Sequence, residues 1–163
     1  MNLKNIPLSL SVAILAALWT YVSLKMGLPT WSAFVSWGFF FVAGADTKAF
    51  VKAGAPIIAG AVFGYLCIYA LKVGSGDMPV IAVSVAVGLA ALLLVLMMSM
   101  ELFALTPAAF GAFAVFFAYV FGKPAVEDIY SLTNVWIVLL TQAIGLILGY
   151  LSVFLPTLFA KKG

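Results

Sequence analysis

The spacing of its ionisable residues limits this chain more than any other feature. Six apolar runs, near residues 7–25, 30–45, 54–71, 79–100, 107–122 and 133–159, carry hardly any charged side chain, and the lysines and carboxylates fall in the short breaks between them. Uncharged runs of this kind read as membrane-spanning segments. In lipid the backbone must satisfy its own hydrogen bonds, which leaves helices or closed barrels. Barrel strands would show about ten residues of alternating character, and these runs do not alternate. The expected fold is therefore an all-α integral membrane protein with six transmembrane helices in a single membrane domain over 1–163.

Composition narrows the function classes. Hydrophobic residues make up 66% of the chain and charged ones 8%, far from the balance of a soluble domain. All the basic residues are lysines spread along the chain, so the net charge of +3 gives no nucleic-acid footprint. The single cysteine, Cys67, excludes an internal disulfide and a cysteine metal cage, and without histidine the usual zinc, haem and general-base options are gone. The expectation is no metal, no cofactor and no enzymatic activity, with the lipid bilayer and a small solute as partners.

The first run follows one lysine, as in a signal peptide, but Leu8 to Leu24 is long for a signal core and no small-residue cleavage site precedes Lys25. It reads as the first span. With six crossings both termini share a side, which would carry Lys4, Lys48, Lys52, Lys161 and Lys162, against Lys25, Lys72 and Lys123 opposite. That asymmetry points to both termini in the cytoplasm.

An internal repeat emerges on either side of "GSGDMP". "SVAILAAL" from Ser11 resembles "SVAVGLAAL" from Ser84. "LPTWSAFVSWGFFFVAG" resembles "LTPAAFGAFAVFFAYVFG", with Pro29 against Pro107, Phe39 against Phe117 and Gly44 against Gly122. "GAVFGYL" from Gly60 resembles "GLILGYL" from Gly145. Shared composition is the alternative explanation, strongest for the first block. Read as a duplication, repeat one covers about 7–73, repeat two about 79–160, and 74–78 joins them. Three spans per half is an odd number, so the halves would be two inverted-topology three-helix repeats, an architecture typical of solute-conducting proteins.

The second segment of each half is short. About sixteen residues between proline and closing glycine give roughly 24 Å of helix against a hydrocarbon core of about 30 Å. Short, proline-initiated segments at matching places point to a central site. Proline in the first turn sets the helix start and leaves free N–H groups there. On this reading Pro29, Thr30, Ser32, Thr106 and Pro107 offer polar groups beside the two helix starts, while Trp31, Trp37, Phe110 and Phe113 form a narrow aromatic wall. The competing readings are an interface anchor for Trp31, lipid contact for the phenylalanines and back-bonding to the helix for the threonines.

Gly60-x-x-x-Gly64 and Gly145-x-x-x-Gly149 permit close helix approach and read as packing residues. Asp46 and Glu101 fall at segment ends and read as solvated. Gln142, within the sixth segment beside Thr141, needs partners for its amide, as interhelical glue or as a lining group. Buried ionisable groups suited to ion coupling are lacking in the segments, which favours uncoupled passage.

In length, six-span layout, the early "LPTWSAF" after a first span and the lysine-rich end, the chain resembles small bacterial inner-membrane proteins of a domain-of-unknown-function family. The duplicated Leu/Pro/Thr and Phe pattern also resembles pore segments of bacterial urea transporters, which implies a small neutral solute. The function expected is a channel or facilitator for a urea, amide or polyol class molecule, assembled as a homo-oligomer. An ion-coupled transporter of a small metabolite and a non-transporting scaffold or accessory subunit are the alternatives.

Overall fold

Among the described residues, six helices form where the apolar runs lie. The computed structural model describes residues 6–75, 78–122 and 126–160. The helices are α1 (Ile6–Met26), α2 (Thr30–Val42), α3 (Ala49–Ser75), α4 (Val80–Met97), α5 (Thr106–Phe121) and α6 (Leu132–Ala160), with one 3-10 turn at Glu101–Phe103 before α5. No strand occurs among the described residues. Four helices, α1, α3, α4 and α6, are long and apolar enough to cross a membrane, whereas α2 and α5 are shorter apolar helices. This is the make-up of a multi-pass membrane protein. At 13 and 16 residues, the two short helices span about 20 and 24 Å. The quoted second segment is thus one unbroken short helix, ending before the glycine that closes the run.

Two glycines explain why α2 is so short. Gly27, with φ of +66°, ends α1: its N–H reaches Leu24 O and the Leu28 N–H reaches Ser23 O at 2.9 Å. Gly44, with φ of +117°, ends α2 in the same way, through Gly44 N–H to Phe41 O and Ala45 N–H to Phe40 O. Both are Schellman turns, which use the left-handed region open to glycine. Ala45 follows with φ of +56°, an unusual place for a residue with a Cβ. Asp46 then accepts from the N–H groups of Lys48 and Ala49 at 2.9 and 3.1 Å and starts α3. The lysines at 48 and 52 therefore do not delay α3, which begins five residues before the apolar run it contains.

The most extensive pairings are α3 with α5 and α2 with α6. Exchanging α1 with α4, α2 with α5 and α3 with α6 turns each pairing into another of similar extent: α3–α5 into α2–α6, α1–α6 into α3–α4, α2–α3 into α5–α6. The core sits among α2, α3, α5 and α6, where Phe40, Ala53, Ile57, Ala108, Ala112 and Leu146 pack together. A second cluster gathers Ala61, Ile68, Phe116, Val120 and Val138, and a third joins α4 through Ala90 and Leu94 to Cys67 and Phe113. Helices α1 and α4 are peripheral. Val80 and Ile81 of α4 and Leu10, Leu18 and Leu24 of α1 stay exposed, as side chains facing lipid would.

Of the lysines, Lys4, Lys123, Lys161 and Lys162 lie outside the described residues, as does part of the 74–78 joint. Lys25 and Lys72 stand at the C-terminal ends of α1 and α3, and each has an aromatic ring beside it: Tyr21 at 5.9 Å and Tyr130 at 4.6 Å. Lys48 and Lys52 stand at the other end of α3.

Candidate functional site: the seam between α2 and α6

The glycine pairs decide how the short helices sit. A Cβ at Gly145 would run into Ala33 O and Ser36 Oγ, and one at Gly149 would come within 2.7 Å of the Phe40 ring. A Cβ at Gly60 would run into Ala109 O, and one at Gly64 would come within 2.8 Å of the Phe116 ring. Each short helix therefore lies backbone-close in a Gly-x-x-x-Gly groove of the long helix from the other half of the chain. Contacts rise together along both helices, so α2 runs parallel to α6 and α5 parallel to α3. The grooves also set a register: Ala33 takes the place of Ala109 and Phe40 that of Phe116. In that register Thr30 matches Thr106, Phe34 matches Phe110 and Phe41 matches Phe117, two residues away from the one that aligns the prolines.

Helices α2 and α5 cross antiparallel. A Cβ at Gly111 would strike the Phe39 ring and sit 3.6 Å from Val35, while the start of α2 lies by Ala118, Tyr119 and Gly122 at the end of α5. Thr30 and Thr106 are thus at opposite ends of the pair. Pro29 precedes α2 as its N-cap and Pro107 occupies the first turn of α5.

The residues singled out from sequence divide into three places. Pro29, Thr30 and Trp31 line an open cleft of about 480 Å³ with Gly27, Tyr119 and Glu127. There Thr30 is tied to α1, its Oγ1 2.6 Å from Ser23 Oγ and its carbonyl accepting from Trp19 Nε1 at 2.8 Å. Thr106, Pro107 and Phe110 stand at the far end, where Thr106 Oγ1 is buried with no hydrogen-bond partner. Ser32, Trp37 and Gln142 are buried in the seam between α2 and α6. The four aromatics do not share one wall. Trp31 and Phe110 are exposed, Trp37 is buried with Nε1 donating to Ser152 Oγ at 3.3 Å, and Phe113 packs with Cys67, Ala90 and Leu94 of α3 and α4.

The seam is built from uncharged polar groups. Thr141 Oγ1 has the Ile137 and Val138 carbonyls within reach of its proton at 2.9 and 3.0 Å, and it lies 2.8 Å from Ser32 Oγ, where either hydroxyl can donate. Ser36 Oγ donates to the Gln142 carbonyl at 2.7 Å, with Ala33 O also within reach at 3.1 Å. Ser152 Oγ donates to Gly149 O at 2.6 Å while accepting from Trp37. Gln142 is fully buried, and neither Nε2 nor Oε1 of its side chain has a hydrogen-bond partner. Its side chain therefore does not glue helices together; only its backbone carbonyl does. In the glycine-groove register, the counterparts of Ser32, Ser36, Thr141 and Gln142 are Ala108, Ala112, Pro56 and Ile57. Only one of the two grooves is polar.

Ser36, Ser152 and Ser23 were not singled out from sequence. The four-residue spacing of Ser32 and Ser36, which puts both hydroxyls on one side of an apolar helix, was the available signal. Among the described residues no cluster of three or more His, Cys, Asp or Glu side chains is placed to hold a metal. Cys67 is buried, with Sγ 3.4 Å from Ala86 O.

Apolar helices of spanning length, a core shared by short and long helices and an uncharged polar seam define a helical membrane protein. The chain belongs to the family described as protein of unknown function, DUF1097, whose model matches residues 9–156. No curated protein and no solved structure matches it.

Proposed function

We propose that this protein is a channel or facilitator for a small, neutral polar solute of the urea, amide or polyol class, built as two inverted three-helix repeats whose short helices α2 and α5 both cross the membrane. The observation that carries this reading is the exchange of grooves: each short helix is held parallel to the last helix of the other half, and the two short helices cross antiparallel at Val35, Phe39 and Gly111. That arrangement suits a pathway at the interface of two inverted halves. The buried polar set, Ser11, Ser23, Ser32, Ser36, Asn134, Thr141, Gln142 and Ser152, contains no ionisable side chain. A passage with such a lining favours uncharged solutes and gives no proton-relay group for coupling.

On this reading both termini face the cytoplasm across a bacterial inner membrane, copies of the chain associate through their lipid-facing helices, and the protein works without catalysing a reaction. The test is osmotic. Proteoliposomes are shrunk with urea, acetamide, glycerol or acetate in the absence of an ion gradient, and reswelling is followed by stopped-flow light scattering. Fast reswelling with a neutral solute and none with acetate is expected. Identical traces from protein-containing and empty liposomes with every solute would remove the facilitator reading and leave the scaffold, to be sought by co-purification.

A further inference from the structure

The side-chain amide of Gln142 is buried without a partner at about 15 Å along α6, on the uncharged seam where α2 docks. Polar groups enclosed in this way are normally satisfied, so its two N–H donors and its carbonyl are free for something that visits the seam. The neighbouring hydroxyl protons already have acceptors: Ser32 and Thr141 share a hydrogen bond, Thr141 also has carbonyls of its own helix in reach, and Ser36 donates to Gln142 O. What Ser32 and Ser36 retain are oxygen lone pairs. Acceptors at the seam therefore outnumber donors, and no side chain there carries a charge to balance an ion.

We propose that Gln142, with the free lone pairs of Ser32 and Ser36, forms a binding site for one small uncharged molecule rich in N–H donors with a single carbonyl acceptor, the urea and primary amide class. The proposal rests on the facilitator reading and narrows it: the planar amide pairs donor-to-acceptor and acceptor-to-donor with another amide, whereas a carboxylate can accept from Nε2 but offers no donor to Oε1 or to the serine lone pairs. An anion or cation would also lose its hydration with no counter-charge. Since the amide is enclosed, entry requires α2 to part from α6. Glycine turns flank α2, at Gly27 ahead of Leu28 and Pro29 and at Gly44 after its last turn, and at both glycines the backbone can rotate without a side chain in the way.

Gln142 is the only glutamine in the chain, which gives the site its own probe. The full chain, labelled with nitrogen-15 in the glutamine side chain and held in lipid nanodiscs, is titrated with acetamide, urea and acetate at concentrations that leave tryptophan emission unchanged. Saturable movement of the single side-chain amide signal with acetamide and urea, and not with acetate, is expected. No saturable movement with either amide, or equal movement with acetate, overturns the site. Gln142→Leu is expected to slow acetamide reswelling about tenfold, the loss of roughly one hydrogen bond. If the labelled amide responds while liposomes never reswell, the site stands and the facilitator reading falls. Reswelling with no amide response does the reverse.

Discussion

Replacing Gly145 by alanine tests whether the α2–α6 groove is as close as the structure has it. A methyl group at position 145 would be driven into Ala33 O and Ser36 Oγ, and one of the two is backbone, so no side-chain rotation relieves the contact. Relief requires the helices to part, which loosens Phe40 over Gly149 and lengthens the Ser36 bond to Gln142 O. Overpacking of this kind costs about 1–3 kcal/mol, and the stretched hydrogen bond adds about 0.6 kcal/mol in a membrane setting. Against this stands a gain of about 1 kcal/mol for alanine over glycine within a helix. Gly88 provides the control, since it lies within α4 and a Cβ there meets nothing within 4 Å. Gly88→Ala should therefore gain stability where Gly145→Ala loses it, a separation of roughly 1.6–3.6 kcal/mol for the same chemical change. For a chain of this size that is a difference of roughly 3–14 °C in midpoint. Thermal unfolding in detergent micelles reads it through the buried Trp19 and Trp37. Equal midpoints for the two variants would refute the close-groove argument.

Other substitutions probe separate links. Ala45→Gly should stabilise by about 1 kcal/mol, because Ala45 holds φ of +56° and the left-handed region costs a residue with a Cβ about that much; a lower midpoint would contradict the turn geometry. Thr30→Val should destabilise by breaking the 2.6 Å bond to Ser23 Oγ, whereas Thr106→Val should be neutral or stabilising because its hydroxyl has no partner; equal losses in the melts would count against the two environments. The double variant, Thr30→Val with Thr106→Val, should insert normally yet conduct more slowly in the reswelling assay, and unchanged flux would remove both threonines from the pathway. A double-mutant cycle on Ser32→Ala and Thr141→Val should return a coupling of about 0.6 kcal/mol, and additive losses would mean the 2.8 Å pair is not a working hydrogen bond.

The helices and most of their limits are legible in the order of the residues alone. Uncharged runs in lipid have one local solution, and glycine at 27 and 44 stops the chain where a left-handed turn is needed, so α1, α2, α4, α5 and α6 are readable within a few residues. The paired Gly-x-x-x-Gly motifs were legible as close-packing sites because removing a Cβ is a local property of the chain. The site was legible only in part. Gln142 stands out because an amide within a long apolar helix is conspicuous, but whether it is satisfied depends on atoms from helices far away in sequence. Ser36 reaches Gln142 and Trp37 reaches Ser152 across separations of 106 and 115 residues, and no local pattern encodes such pairs. Tertiary structure alone decided that Trp37 and Phe113 face different neighbours, that Thr30 and Thr106 lie at opposite ends, and that one groove is polar while its counterpart is not. Periodicity fixes which face of a helix a residue occupies, but packing of backbone against backbone at four glycines fixes what that face meets.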